Sequence, residues 1–78
     1  MKEHKKMEQL TFHLNDDYVE LNQLLKLVGL CESGGAGKML VASGAVAVDN
    51  CAESRKTCKI RAGQTVQVDG ITISVVKS

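Results

Sequence analysis

Aromatic side chains are nearly missing from this chain: it has no tryptophan, and Phe12 and Tyr18 make up its whole Phe, Tyr and Trp content. A binder that stacks bases on rings, such as an RRM sheet or an OB-fold platform, needs more of them, so that class is disfavoured. A charge excess is missing too. Ten Lys/Arg against nine Asp/Glu leave +1, and bulk charge selects no partner. No stretch approaches the ~20 apolar residues of a transmembrane helix, and the stretch from Met1 to Leu10 holds no apolar run of the signal-peptide kind. The three cysteines, Cys31, Cys51 and Cys58, are odd in number and spaced unlike a disulfide framework. A reduced, cytoplasmic protein without membrane association is expected.

What is present fits one ordinary small domain, with 78 residues, 44% hydrophobic and 24% charged. A chain this short rarely encloses a dry cavity beside its core, so an enzyme is not expected. Residues 1–9 read as a loosely held lead-in, and Thr11–Leu14 as a short strand with Leu10, Phe12 and Leu14 on one face. Asn15-Asp16-Asp17 offers a helix cap and negative charge for a helix dipole. Tyr18, Leu21, Leu24, Leu25 and Val28 then recur at helical spacing, which predicts a helix to Val28 with Gly29 as its stop and Leu30 packed behind. Ser33 is placed to cap a second helix over roughly Ala36–Ala42, its apolar side made by Met39, Leu40 and Ala42 or Ala36 and its end by Gly44. The short connection predicts an αα-hairpin. Beyond Gly44 the period falls to 2. Val46 and Val48, a turn at Asp49-Asn50, then Val66 and Val68, Asp69-Gly70, and Ile71, Ile73 and Val75 spell antiparallel strands joined by tight turns. The expected class is α+β, a helix hairpin packed on a small antiparallel sheet.

Gly34-Gly35-Ala36-Gly37-Lys38 looks like a phosphate-binding loop. A nucleotidase P-loop fails, however, because Glu32 stands where the first glycine is needed and Met39 where a hydroxyl must hold magnesium. Two readings stay open for these residues. Ser33, the Gly34 and Gly35 amides and Lys38 form a phosphate seat at a helix start, or they are a flexible helix start with a solvated lysine. The second feature is the run Arg55 to Arg61, where Arg55, Lys56, Lys59 and Arg61 put four positive charges and no acid into seven residues. Together with Lys26 and Lys38 this points to a binding face for phosphates; the bland alternative is a solvated loop. His4 and His13 are far apart and Cys51 and Cys58 lack zinc-knuckle spacing, so no metal or other cofactor is expected. The cysteines read as small, buried or half-buried apolar residues. Basic neighbours could still lower the pKa of Cys58.

One longer pattern unites these pieces. Leu21-x-x-Leu24-Leu25-Lys26-x-x-Gly29-Leu30-x-x-Ser33, followed by Lys38-x-Leu40-Val41-x-x-Gly44-x-Val46-x-Val48-Asp49-Asn50, with Gly63 and Val66 further on, resembles the S4 RNA-binding domain over Tyr18 to Asp69. Glu32-Ser33-Gly34-Gly35 and Glu53-Ser54-Arg55-Lys56 are similar to segments of its small stand-alone branch. The resemblance implies an αL motif whose helix face and adjoining loop lie on structured RNA, ribosomal or transfer. It places Lys26, Ser33 and Lys38 on RNA backbone, with Arg55 and Lys56 in the basic segment; Lys59 and Arg61 extend that segment by the charge argument. Glu20 and Gly34 stand where the family often has arginine, which shifts phosphate contact towards Arg55, Lys56 and Lys59. The expected protein is a non-catalytic, monomeric RNA binder with ribosome-associated proteins as further partners. The alternative is an adaptor domain whose basic loop meets an acidic protein.

Overall fold

The computed structural model describes residues 8–78, and positions 1–7 of the expected lead-in lie outside them. Strand β1 (Glu8–Leu14) buries Leu14 and half-buries Leu10 and Phe12, while Gln9, Thr11 and His13 are exposed. This is the alternation of a strand with one covered face. Glu8 and Gln9, expected in that lead-in, belong to the ladder. Next come β2 (Val19–Glu20), α1 (Leu21–Leu27), α2 (Gly34–Ala42), β3 (Val46–Val48), β4 (Cys51–Ala52), β5 (Lys59–Ile60), β6 (Thr65–Val68) and β7 (Ile71–Lys77). Five strands form one sheet in the order β1-β7-β6-β3-β4, and β2 pairs with β5 in a separate ribbon.

The α+β class stands, with the helix hairpin on the sheet. One detail differs: β1 runs parallel to β7, from Glu8↔Ile71 to Leu14↔Lys77, so the sheet is mixed. Parallel neighbours need a long connection, and here every other element lies between the two strands. The remaining pairs are antiparallel, with Val46↔Val68 and Val66↔Ile73 aligned across the sheet. Asp49 and Asn50 both have positive φ, 51° and 69°, the type I′ geometry that matches strand twist. The Asp49 carboxylate accepts from the Thr65 N–H at 3.0 Å and the Gln64 amide at 3.1 Å. Those bonds hold its pKa below the usual carboxylate range.

Leu21, Leu24 and Leu25 of α1, Val41 of α2 and the inward residues Val46, Val66, Ile73 and Val75 of the sheet make the core, with Ile60 of β5. Helix α1 is shorter than the apolar spacing suggested. Tyr18 stays 38% exposed, because Val19 and Glu20 are drawn into the ribbon with β5. The cap expected at Asn15–Asp17 is therefore not formed, and Glu20 occupies the N-cap without a side-chain bond. Instead the Leu21 and Asn22 N–H groups donate to the carbonyls of Cys58 (2.8 Å) and Lys56 (3.1 Å). The other end follows expectation. Gly29 has φ +88°, Gly29 N–H donates to Lys26 O and Leu30 N–H to Leu25 O, a Schellman stop.

Helix α2 begins two residues before Ala36, capped by the Ser33 hydroxyl accepting from Ala36 N–H at 3.1 Å. Its buried line is Gly37 and Val41, one turn apart. The apolar side expected at Met39 is corrected: Met39 is 75% exposed, Ala42 is exposed, and Leu40 and Ala36 are half-buried. The cause lies at Gly37, where a Cβ would stand 2.5 Å from the Asn22 carbonyl oxygen. The two helices cross where only glycine fits, and that crossing rotates Met39 outward.

Candidate nucleic-acid interface

The first turn of α1 is the hub of the candidate site. Its N–H groups are held by the basic segment at Lys56 and Cys58. On its other side Asn22 is only 2% exposed and its Nδ2 donates to Gly34 O at 3.4 Å. A Cβ on Gly34 would lie 2.7 Å from Gln23 Nε2, so the start of α2 sits directly against the start of α1. The glycine-rich helix start and the basic run, 18 or more residues apart in sequence, thus meet at opposite sides of Asn22.

The candidate residues divide by what already engages them. Lys26, Lys38 and Lys56 are exposed and make no ion pair among the described residues. Lys26 and Lys38 stand one helical turn beyond Asn22 and Gly34. Ser33, Gly34 and Gly35 form the first turn of α2, where N–H groups lack intrahelical partners; the Ser33 oxygen caps Ala36 and leaves its hydroxyl hydrogen free to donate. Arg55 is not a free cation. Its guanidinium donates to both Glu53 oxygens, at 2.9 and 3.2 Å, and its backbone N–H to Glu53 as well. These bonds hold the Glu53 carboxyl down to about 2 and raise the arginine further. Lys59 and Arg61 lie 5.0 and 5.7 Å from the centre of the Tyr18 ring, within cation–π range. Arg61 also donates to Asp17 O at 3.4 Å.

Two features of the site escaped sequence reading. Tyr18, placed by periodicity on the helix face, is the anchor for two cations, and Glu53 fixes Arg55. Helical spacing hides the first, because a two-residue strand takes the place of the first helical turn and the helix starts late; Glu53, two residues before Arg55, was at hand in the sequence. The thiol of Cys58 also differs from expectation: partial burial pushes its pKa up rather than down. An acid-lined hollow, Asn15 to Glu20 with Gln23, adjoins the hub and gives the anionic half of the region its own place.

A domain with a helix hairpin on a mixed sheet, and with cations gathered where helix starts and a loop converge, is the class these observations define. The S4 domain family model matches residues 12–76, and the chain belongs to that family. It is 52% identical over 59 residues to the Escherichia coli (strain K12) protein named "Putative RNA-binding protein YbcJ", covering 76% of this chain and 84% of that one. The Shigella flexneri YbcJ protein matches to the same extent. The solution structure of E. coli YbcJ, described as revealing an αL motif involved in RNA binding, superposes with a TM-score of 0.64 at 42% identity, covering 97% of this chain and 95% of that one.

Proposed function

We propose that this S4 domain is a non-catalytic module that binds structured RNA through its backbone. The observation that carries the reading is the shared hub: Asn22 bonds both to Lys56 of the basic run and to Gly34 at the start of α2. Phosphates on one RNA strand then meet Lys38 and the Gly34 and Gly35 amides, with Ser33 donating to a phosphate or a 2′-hydroxyl. Lys26, Arg55 and Lys56 serve neighbouring phosphates, and Lys59 and Arg61 extend the track past Tyr18. Scarcity of rings suits a folded or duplex RNA better than a single strand. Ribosomal and transfer RNA supply such shapes, and three free cysteines suit the reducing cytoplasm in which both work. The matching structure's description as an RNA-binding αL motif supports the reading.

The test is an NMR titration of labelled protein with a pool of structured RNA at low and moderate salt. Shifts concentrated on Ser33–Lys38 and Arg55–Arg61 that fade as salt rises are expected. No shifts at low salt would overturn the proposal.

A further inference from the structure

Lys38 is the one cation of α2, and the helix's most exposed large apolar residue is left without a role. Met39 follows Lys38 directly and is 75% exposed. It is not isolated. Together with half-buried Leu30, Cys31 and Leu40 it lines an open concavity whose polar edge includes Glu32 and Ser33. Exposed apolar surface rimmed by polar groups marks an interaction site, and methionine adapts its shape to whatever it covers. The concavity is continuous with the proposed phosphate seat, because Ser33 belongs to both. Among the described residues lining it, Glu32 is the one that is charged. A carboxylate there repels a phosphodiester but accepts hydrogen bonds from the N–H groups of a nucleobase.

We infer that this concavity takes an unpaired nucleobase, extruded from the RNA whose backbone lies on Gly34–Lys38, with Met39 packed against the face of the base. The inference rests on the RNA reading above and adds to it a class of target: a duplex interrupted by an unpaired nucleotide. Guanine fits the edge best, since its N1–H and N2–H groups are donors facing one carboxylate. Apolar contact with a base is independent of counterion release, whereas contact by Lys38 depends on it. That difference separates the two halves of the interface.

Two labelled RNA hairpins, one fully paired and one with a single bulged guanosine, are titrated by fluorescence anisotropy over roughly 50–200 mM salt. The bulged RNA is expected to bind about five- to tenfold more tightly, at the lower end of what a base gains on an aromatic ring because a thioether covers less of its face, with the same salt slope. Met39→Ser removes that preference and leaves the salt slope and melting temperature unchanged. Lys38→Ala weakens both RNAs equally and lowers the slope by about one contact. Equal binding of the two RNAs by the native protein, or a preference that survives Met39→Ser, overturns this inference and leaves the RNA reading standing. Binding of neither RNA overturns both.

Discussion

Gly37→Ala is the sharpest test of how the helices meet. A methyl at this position would lie 2.5 Å from the Asn22 carbonyl oxygen, 3.1 Å from its Cα and 3.2 Å from its carbonyl carbon, whereas ordinary contact starts at 3.4 Å. All three obstructing atoms are backbone of α1, so no side chain can swing aside and the helices must part by nearly an ångström. Overpacking of this kind costs about 1–3 kcal/mol. Against rigid backbone atoms the upper part of that range, about 2–3 kcal/mol, applies, and alanine recovers up to ~1 kcal/mol of helix propensity, which leaves a net loss of about 1–2 kcal/mol. In a domain this small that lowers the melting temperature on the order of 5–15 °C. Gly35→Ala is the control within the same helix. There the nearest atom is the Ser33 Oγ at 3.8 Å, and stability is expected to hold or rise by up to ~1 kcal/mol. Thermal and urea unfolding followed by circular dichroism measures both. A Gly37→Ala protein as stable as the native one, or two variants shifted alike, would refute the close-crossing argument.

Three further outcomes rest on local contacts. Ser33→Ala removes the cap on Ala36 and should cost about 1 kcal/mol in urea unfolding, with Ser33→Gly costing only a few tenths. The Glu53 carboxyl, held to about 2 by Arg55, binds a proton more readily in the unfolded chain. Its stabilisation is therefore present above the ordinary glutamate value of ~4.3 and fades as pH falls from there through about 2. Because Arg55 is 76% exposed the effect is small, so the readout is the NMR titration of Glu53 itself, which Arg55→Ala should return towards the ordinary range. With its thiol pKa raised by burial, Cys58 should react with a thiol reagent at neutral pH more slowly than exposed Cys51; equal rates would contradict the packing around it.

Where an element's period matched its environment, the sequence was a sound guide. Val46, Val48, Val66, Val68, Ile73 and Val75 alternate as written and all face the core, with turns at Asp49-Asn50 and Asp69-Gly70 where positive φ is needed. Local chemistry also announced the Ser33 cap and the Gly29 stop. The failures are tertiary. Tyr18 has helical spacing, but pairing of Val19 and Glu20 with Ile60 and Lys59 overrides it, and carbonyls from the distant segment 56–58 replace the cap that Asn15–Asp17 offered. Nothing in α2 itself tells that Gly37 rather than Met39 faces its partner; that follows from the nearness of Asn22. For the candidate site, sequence supplied the cations and the glycine-rich start. Their shared location at Asn22 required the fold.

A chain of net charge +1 gains little from long-range attraction to RNA, so binding must come from local contacts within about 8 Å at physiological salt. Asp16, Asp17 and Glu20 line their own hollow beside the hub; in the proposed binding mode these carboxylates repel phosphate and leave the backbone to Gly34–Lys38. Of the candidate cations, Lys26, Lys38 and Lys56 carry no ion pair among the described residues, Arg55 is shared with Glu53, and Lys59 and Arg61 rest against Tyr18 at the edge of the acidic hollow. Between three and six cations are thus available, and each contact releases most of one counterion, giving a log–log salt slope with a magnitude of roughly 2 to 5. Replacing Lys56 by alanine should reduce that slope by close to one full contact. Arg55→Ala should reduce it less, because loss of the arginine also frees the negative charge of Glu53 it was balancing, and the affinity falls through repulsion more than through a lost contact. Anisotropy titrations of the three proteins across salt concentrations measure both quantities. Identical slope changes for Arg55→Ala and Lys56→Ala would show that the Glu53 pairing opens on RNA and that the two residues act alike.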